Sequence, residues 1–247
     1  MSADSLYTTM SGLQQISADM QTTAANLANV GTTGYSAVQA VAEAAPYVGS
    51  KAPSGADAVA VTPNPNLTAG PLQHTGSAFN VALSGDGWLE VQTPTGNAIS
   101  RNGSLQITNA GILADSAGNP VLSTAGQPIS LPRLARLEIG SDGTVSGVPA
   151  NSQSGQAQVY GQINIVATPP GTLTPLNGAM FAVPAGAALQ PATNGALEQG
   201  YLNGSNVDPT QTMMNMISDS RSYQLQTNLM KTQSNGGQAL NTLVAQG

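Results

Sequence analysis

Leu6-Tyr7-Thr8-Thr9-Met10-Ser11-Gly12-Leu13-Gln14-Gln15-Ile16-Ser17-Ala18-Asp19-Met20-Gln21-Thr22-Thr23-Ala24-Ala25-Asn26-Leu27-Ala28 contains no proline and no Lys or Arg. Along it Leu6, Met10, Leu13, Ser17, Met20, Ala24 and Leu27 recur at alternating steps of four and three, the spacing of a coiled-coil seam. A helix capped by Asp4 or Ser5 and running to about Ala28 is expected, stopped by Gly31 and Gly34, a rod of roughly 35 Å at about 1.5 Å per residue. Ser17 and Ala24 are small, so the seam allows close approach while burying little. A helix of this kind is marginal alone and draws its stability from a partner.

Moving outward, all sixteen prolines lie between Pro46 and Pro209, so two proline-free ends flank a proline-punctuated middle. Proline costs a helix interior about 3 kcal/mol, which confines long helices to those ends. At the far end Pro209 follows Asn206 and Asp208, the arrangement of a helix start. Beyond it Met216, Tyr223 and Met230 recur every seven residues, with Met213, Ser220, Thr227 and Ser234 as a companion row. Gly236-Gly237 is expected to kink or end this helix before Leu240 and Leu243.

Between the helices, residues 36–75 are rich in Ala, Pro, Gly and Ser, and Pro63-Asn64-Pro65-Asn66 favours extended backbone, so an extended linker or arm is expected. Short alternating apolar runs follow: Val81 with Leu83, Leu89 with Val91, Leu105 with Ile107, Ile112-Leu113, Val121-Leu122, Leu137 with Ile139, and Ile163 with Ile165. Asp86-Gly87, Asn102-Gly103, Ala110-Gly111, Gly118-Asn119 and Asp142-Gly143 separate them as turn signals. A three-residue loop, Arg101 to Gly103, with Gly103 left-handed, sets Ile99 opposite Leu105. The expected fold class is α+β: N- and C-terminal helices paired as a coiled-coil-like bundle, with a central antiparallel β-barrel or sandwich-like domain.

Composition narrows the function. Charged residues make up 7% of the chain against roughly 25% in ordinary soluble proteins, leaving a polar surface with few charges to desolvate in a dense assembly. The formal net charge of -6, with six scattered Lys and Arg, argues against nucleic acid. No long apolar run follows Met1, so neither a cleavable signal peptide nor a membrane span is expected, and export would need another route. With one histidine, His74, and no cysteine, no zinc motif is present, and neither a nucleophile elbow nor a phosphate-binding glycine loop occurs. No catalytic residue, cofactor or metal is therefore assigned. Asp86, Asp115 and Asp142 read as turn residues. Two rival classes stay open: an extracellular β-rich glycan-binding module, which needs an exposed aromatic platform, and a peptidoglycan hydrolase, which needs acids converging in a cleft.

Asn26-Leu27-Ala28-Asn29-Val30-Gly31-Thr32-Thr33-Gly34-Tyr35 resembles the N-terminal signature of bacterial flagellar rod and hook proteins. Gly204-Ser205-Asn206-Val207-Asp208, followed by Met213, Met216-Ile217, Arg221 and Tyr223, is similar to the C-terminal pattern of that family. Gly85-Asp86-Gly87-Trp88-Leu89 and Arg101-Asn102-Gly103-Ser104-Leu105 look like segments of its β-domain. Within the family, Leu6 to Gly12 and the chain length resemble the proximal rod subunits most, with the distal rod subunits as near relatives. The resemblance implies a non-enzymatic axial subunit of the basal-body rod spanning the periplasm, exported through the flagellar type III apparatus. Its implied partners are copies of itself and other rod and hook subunits. It divides the chain into an N-terminal helix of an inner axial domain (1–35), an arm (36–75), a central β-domain (76–203) and a C-terminal helix of the inner domain (204–247). It implies an assembly role for Asn26, Leu27, Asn29, Gly34, Tyr35, Asn206, Val207, Arg221 and Tyr223. The seam residues Leu6, Met10, Leu13, Met20, Met213, Met216, Ile217 and Met230 complete the expected interface.

Overall fold

The computed structural model describes residues 3–46, 56–151, 155–168, 173–176, 179–183 and 189–245, with the side chains of 3–8, 42–61, 233–234 and 237–245 outside the description. Two compact units result, one from residues 1–28, 38–64 and 208–247, the other from residues 29–37 and 65–207.

The first unit holds the two helices. Helix α1 spans Ala3–Ala28, so Asp4 and Ser5 fall in its first turn and not at the cap. Its end is followed by a turn closed by Thr32 N donating to Asn29 O at 3.1 Å. Helix α2 spans Pro209–Ala245. Asp208 caps it: its Oδ1 accepts from the backbone of Thr210 at 2.8 Å and Gln211 at 3.1 Å, satisfying two donors of the first turn. Pro209 takes the first helical position, where a missing N–H costs nothing. Contrary to expectation, Gly236-Gly237 does not end α2, because the penalty of about 1 kcal/mol per glycine is met within a long cooperative helix.

The helices lie side by side and antiparallel. Thr23 Oγ1 donates to Asp219 Oδ2 at 3.4 Å, and Gln226 Nε2 donates to Thr9 O at 3.4 Å. A methyl group on Gly12 would sit 3.1 Å from Gln226 Nε2, so the close approach uses the small residue there. Within residues 36–75, expected as an extended linker or arm, strands β1 (Val38–Pro46) and β2 (Ala56–Pro65) pair as a two-stranded sheet, and β1 packs on α1. Each strand ends on a proline, Pro46 and Pro65, with Pro63 two residues inside β2.

The second unit is built from short antiparallel ladders. Strands β5 (Trp88–Thr93), β6 (Gly96–Ser100), β12 (Ile165–Val166), β13 (Thr174–Pro175) and β14 (Met180–Ala182) form a five-stranded sheet in the order β12-β5-β6-β14-β13. Strands β9 (Leu134–Ile139), β10 (Thr144–Pro149) and β11 (Gln158–Gln162) form a three-stranded sheet, order β11-β10-β9. Three two-stranded pairs complete it: β3 (Leu72–His74) with β16 (Tyr201–Asn203), β4 (Val81–Ser84) with β15 (Ala196–Gln199), and β7 (Leu105–Ile107) with β8 (Leu113–Asp115). Among the described residues the ladders do not close into a barrel, because strands of two to six residues end at turns before their edges can meet.

The β-unit core is continuous through Val81, Leu83, Leu89, Val91, Leu113, Val121, Val145 and Ile163, all within 1% of full burial. A smaller cluster gathers Trp88, Ile99, Val166, Leu173 and Phe181, with Trp88 and Phe181 edge to face at 5.6 Å.

The expected Ile99–Leu105 hairpin does not form. Ile99 pairs with Glu90 and Phe181, while Leu105 pairs with Asp115. Residues 101–104 instead cross to β4, where Val81 N donates to Gly103 O at 2.9 Å. Gly103 has no positive φ; it is glycine because a Cβ would lie 1.7 Å from Val81 O. The turn signals at Gly111, Gly118 and Gly143 do carry left-handed glycines, whereas in the Asp86-Gly87 turn the left-handed residue is Gly85. Asp115 accepts from the Ala117 and Asn119 backbone, both at 2.8 Å, and Asp142 from Thr144 N at 3.0 Å, the turn roles expected of them.

Candidate assembly site

The signature residues are backbone fasteners. Asn26, near the end of α1, donates Nδ2 to Val38 O at 2.7 Å and accepts from Val38 N at 2.9 Å, so its amide stands in for a neighbouring strand's peptide group. In the β-unit, Gly34 is left-handed at φ 69°, its N donates to Asn203 O at 2.8 Å, and a Cβ there would meet the Arg101 carbonyl carbon at 2.4 Å. Only glycine satisfies both demands. Tyr35 is buried, and that burial raises its phenol above the usual value while a hydrogen bond from Asn29 opposes the rise.

Asn206 joins three backbone segments. Its Oδ1 accepts from Ala37 N at 2.6 Å, and its Nδ2 donates to Asn66 O at 2.9 Å and Thr68 O at 2.8 Å. Asn203, which the sequence reading passed over, is buried and bridges to Leu83, accepting from its N at 2.7 Å and donating to its O at 3.0 Å. A single asparagine ahead of Gly204 carries no periodic signal, so only the closure of distant segments reveals it. Arg101 was missed as well. It lies 4.5 Å over the Trp88 ring and donates to Leu67 O at 2.9 Å and Gly85 O at 3.1 Å. Burial lowers its guanidinium from the usual value, partly offset by the Asp86 charge.

The helices divide the remaining expected residues. Leu13, Met20 and Leu27 are half-buried, whereas Met10 is 47% exposed; the side chain of Leu6 lies outside the described residues. On α2, Met216 and Met230 are half-buried in one stripe with Thr212, Asp219 and Gln226, and Tyr223 is on the same stripe. Met213 and Ile217 are not on it. They stand on the far side of the helix, 51% and 54% exposed, with Met214, Leu225 and Leu229 extending the same bare face. Leu225 and Leu229 are four residues apart, a spacing legible in advance but masked by the seven-residue methionine row. Val207 is half-buried beside the cap, and Arg221 is exposed on the bare face.

Features demanded by other chemistries lie elsewhere. Trp88 and Phe181, the large aromatics a glycan platform would present, are buried. The buried acids hold amides: Glu90 accepts from Asn97 at 2.7 Å and Asn164 at 2.6 Å, and Asp115 accepts from Asn119 Nδ2 at 2.9 Å. Among the described residues no three His, Cys, Asp or Glu converge, and no helix is long and apolar enough to cross a membrane.

Two long terminal helices pair in one unit, short antiparallel ladders build the other, and α2 carries exposed Met213, Met214, Ile217, Leu225 and Leu229 on the side away from α1. Three family models match along its length. Residues 6–35 match the flagella basal body rod protein model, residues 82–147 the flagellar hook protein FlgE/F/G D1 domain, and residues 198–243 the flagellar basal body rod FlgEFG protein C-terminal domain. The flagellar basal-body rod protein FlgF of Escherichia coli K12 is 31% identical over 95% of this chain and 96% of its own length. FlgF of Salmonella typhimurium is 31% identical over 90% of each chain, and the rod protein FlgG of Bacillus subtilis 30% identical over 92% and 94%. The chain belongs to the flagellar basal-body rod protein family.

Proposed function

We propose that this protein is a structural, non-enzymatic subunit of the flagellar rod that polymerises helically, transmits torque and continues the export channel. Its likeness to FlgF proteins favours a place among the proximal rod subunits over the distal ones. The observation that carries the reading is the bare face of α2, where Met213, Met214, Ile217, Leu225 and Leu229 are each more than half exposed. Covering the exposed half of five such side chains stabilises by about 1 kcal/mol each, a contact that gains weight by repetition in an assembly. A contact of this kind that does not close into a ring propagates as a helix of subunits. In this reading α1 and α2 pair in coiled-coil manner as the axial element, through Leu13, Met20, Met216, Tyr223 and Met230. Asn26 ties α1 to β1 within the helical unit, and Asn29, Gly34, Tyr35, Asn206 and Val207 serve assembly from the β-unit. Neighbouring copies, other rod and hook subunits and the type III export apparatus are the partners.

The test is Ile217→Asp. Because Ile217 is exposed, the free chain is expected to fold with unchanged Trp88 fluorescence, yet to fail to enter rods and to leave a deletion strain non-motile. Full swimming with this variant would remove the bare face from the interface.

A further inference from the structure

We propose that Asp19 and Asp219 form an electrostatic brake on the α1–α2 pair, two like charges facing each other that loosen it at neutral pH and allow it to tighten when either is neutralised. Thr23, one turn beyond Asp19 on α1, donates to Asp219 Oδ2 at 3.4 Å, which sets both carboxylates at the same level of the pair. Both are half-buried, and Gln15 Nε2 donates to Asp19 Oδ1 at 3.0 Å. No cation answers them among the described residues. Helix α1 has no Lys or Arg. On α2, Arg221 is exposed and roughly 200° around the helix from Asp219, and Lys231 is exposed three turns further on. The facing stripe of α2 otherwise offers the phenol of Tyr223. From the sheet beside α1, β1 contributes only Glu43 and β2 only Asp57, both acids whose side chains lie outside the description.

Burial raises the Asp19 carboxyl above its usual value of 3.8, the Asp219 charge pushes it the same way, and the Gln15 hydrogen bond opposes them. A carboxyl raised on folding favours the folded pair below its ordinary range and loses that contribution as pH rises through the raised value. Neutral pH is therefore where the pair is weakest. In a rod subunit this would bias free chains against premature helix pairing; that consequence rests on the assembly reading, whereas the brake belongs to the free chain.

Amide hydrogen exchange of the full-length free chain tests it, comparing wild type with Asp19→Asn, Asp219→Asn and the charge control Glu198→Gln, an exposed β15 residue. At about pH 7 both Asn variants are expected to exchange severalfold more slowly than wild type in α1 and α2, with the difference vanishing toward about pH 4. Glu198→Gln is expected to match wild type throughout. Equal or faster exchange in both Asn variants, an equal slowing by Glu198→Gln, or an advantage undiminished at the lower pH would overturn the brake. None of these outcomes bears on Ile217→Asp, so the two ideas fail separately.

Discussion

Asn203→Ala isolates a single fastener. Its amide is 1% exposed and serves both backbone groups of Leu83, itself 1% exposed, at 2.7 Å and 3.0 Å. Leu83 lies opposite Leu197 in the β4–β15 ladder, and its own N–H and C=O turn away from that partner toward Asn203. Truncation leaves one donor and one acceptor buried without partners, at about 1–3 kcal/mol each, so a loss of roughly 2–6 kcal/mol follows. Trp88 is the one tryptophan of the chain and is fully buried in the same unit, so its fluorescence reports this unit's unfolding directly. With a urea slope of about 2 kcal/mol per molar, the midpoint should fall by about 1–3 M at unchanged slope. Asn203→Asp separates the two bonds: it keeps an acceptor for Leu83 N but sets a carboxylate against Leu83 O, and should be no better than alanine near neutral pH. A midpoint within about 0.2 M of wild type for Asn203→Ala would refute the reasoning, since a relaxed backbone or water must then satisfy Leu83.

Two further outcomes follow from the turns. Gly103→Ala places a methyl 1.7 Å from Val81 O and should cost at least about 2 kcal/mol in the same urea assay, while Gly31→Ala, with nothing within 4 Å, should be near neutral. Hydrogen bonds from Thr144 hold Asp142 below its usual value of 3.8, so this contact is present above the ordinary carboxylate range and lost as pH falls through the lowered value. The Thr144 amide resonance should titrate there and stop titrating in Asp142→Asn.

Much of the architecture was legible because it is local. Proline confinement and the four-three spacing place α1 and α2, since backbone sterics and helical periodicity act over a few residues. Asp208 and Pro209 mark the start of α2 by satisfying its first donors, and Asp142-Gly143 marks a turn through the freedom of glycine at positive φ. The asparagine- and glycine-rich signature was visible as a pattern, and its Asn26 and Asn206 hydrogen-bond to backbone outside their own turns. What each amide fastens was beyond local reading, because Asn206 reaches residues 37, 66 and 68, and Asn203 reaches residue 83.

The loop at Arg101–Gly103 shows why register fails from sequence: hairpin geometry favoured Ile99 facing Leu105, but the Gly103 contact with Val81 and the stacking of Arg101 on Trp88 drew the chain across instead. Sequence by itself determined where α2 begins, at Asp208 and Pro209, and where turns such as Asp142-Gly143 fall, since those choices are made between near neighbours. Which face of α2 meets α1, and therefore that Met213 and Ile217 stand bare while Met216 and Met230 are covered, was decided by the tertiary structure alone. Periodicity defines the faces of a helix, but only packing against a partner distant in sequence assigns one of them to the interior.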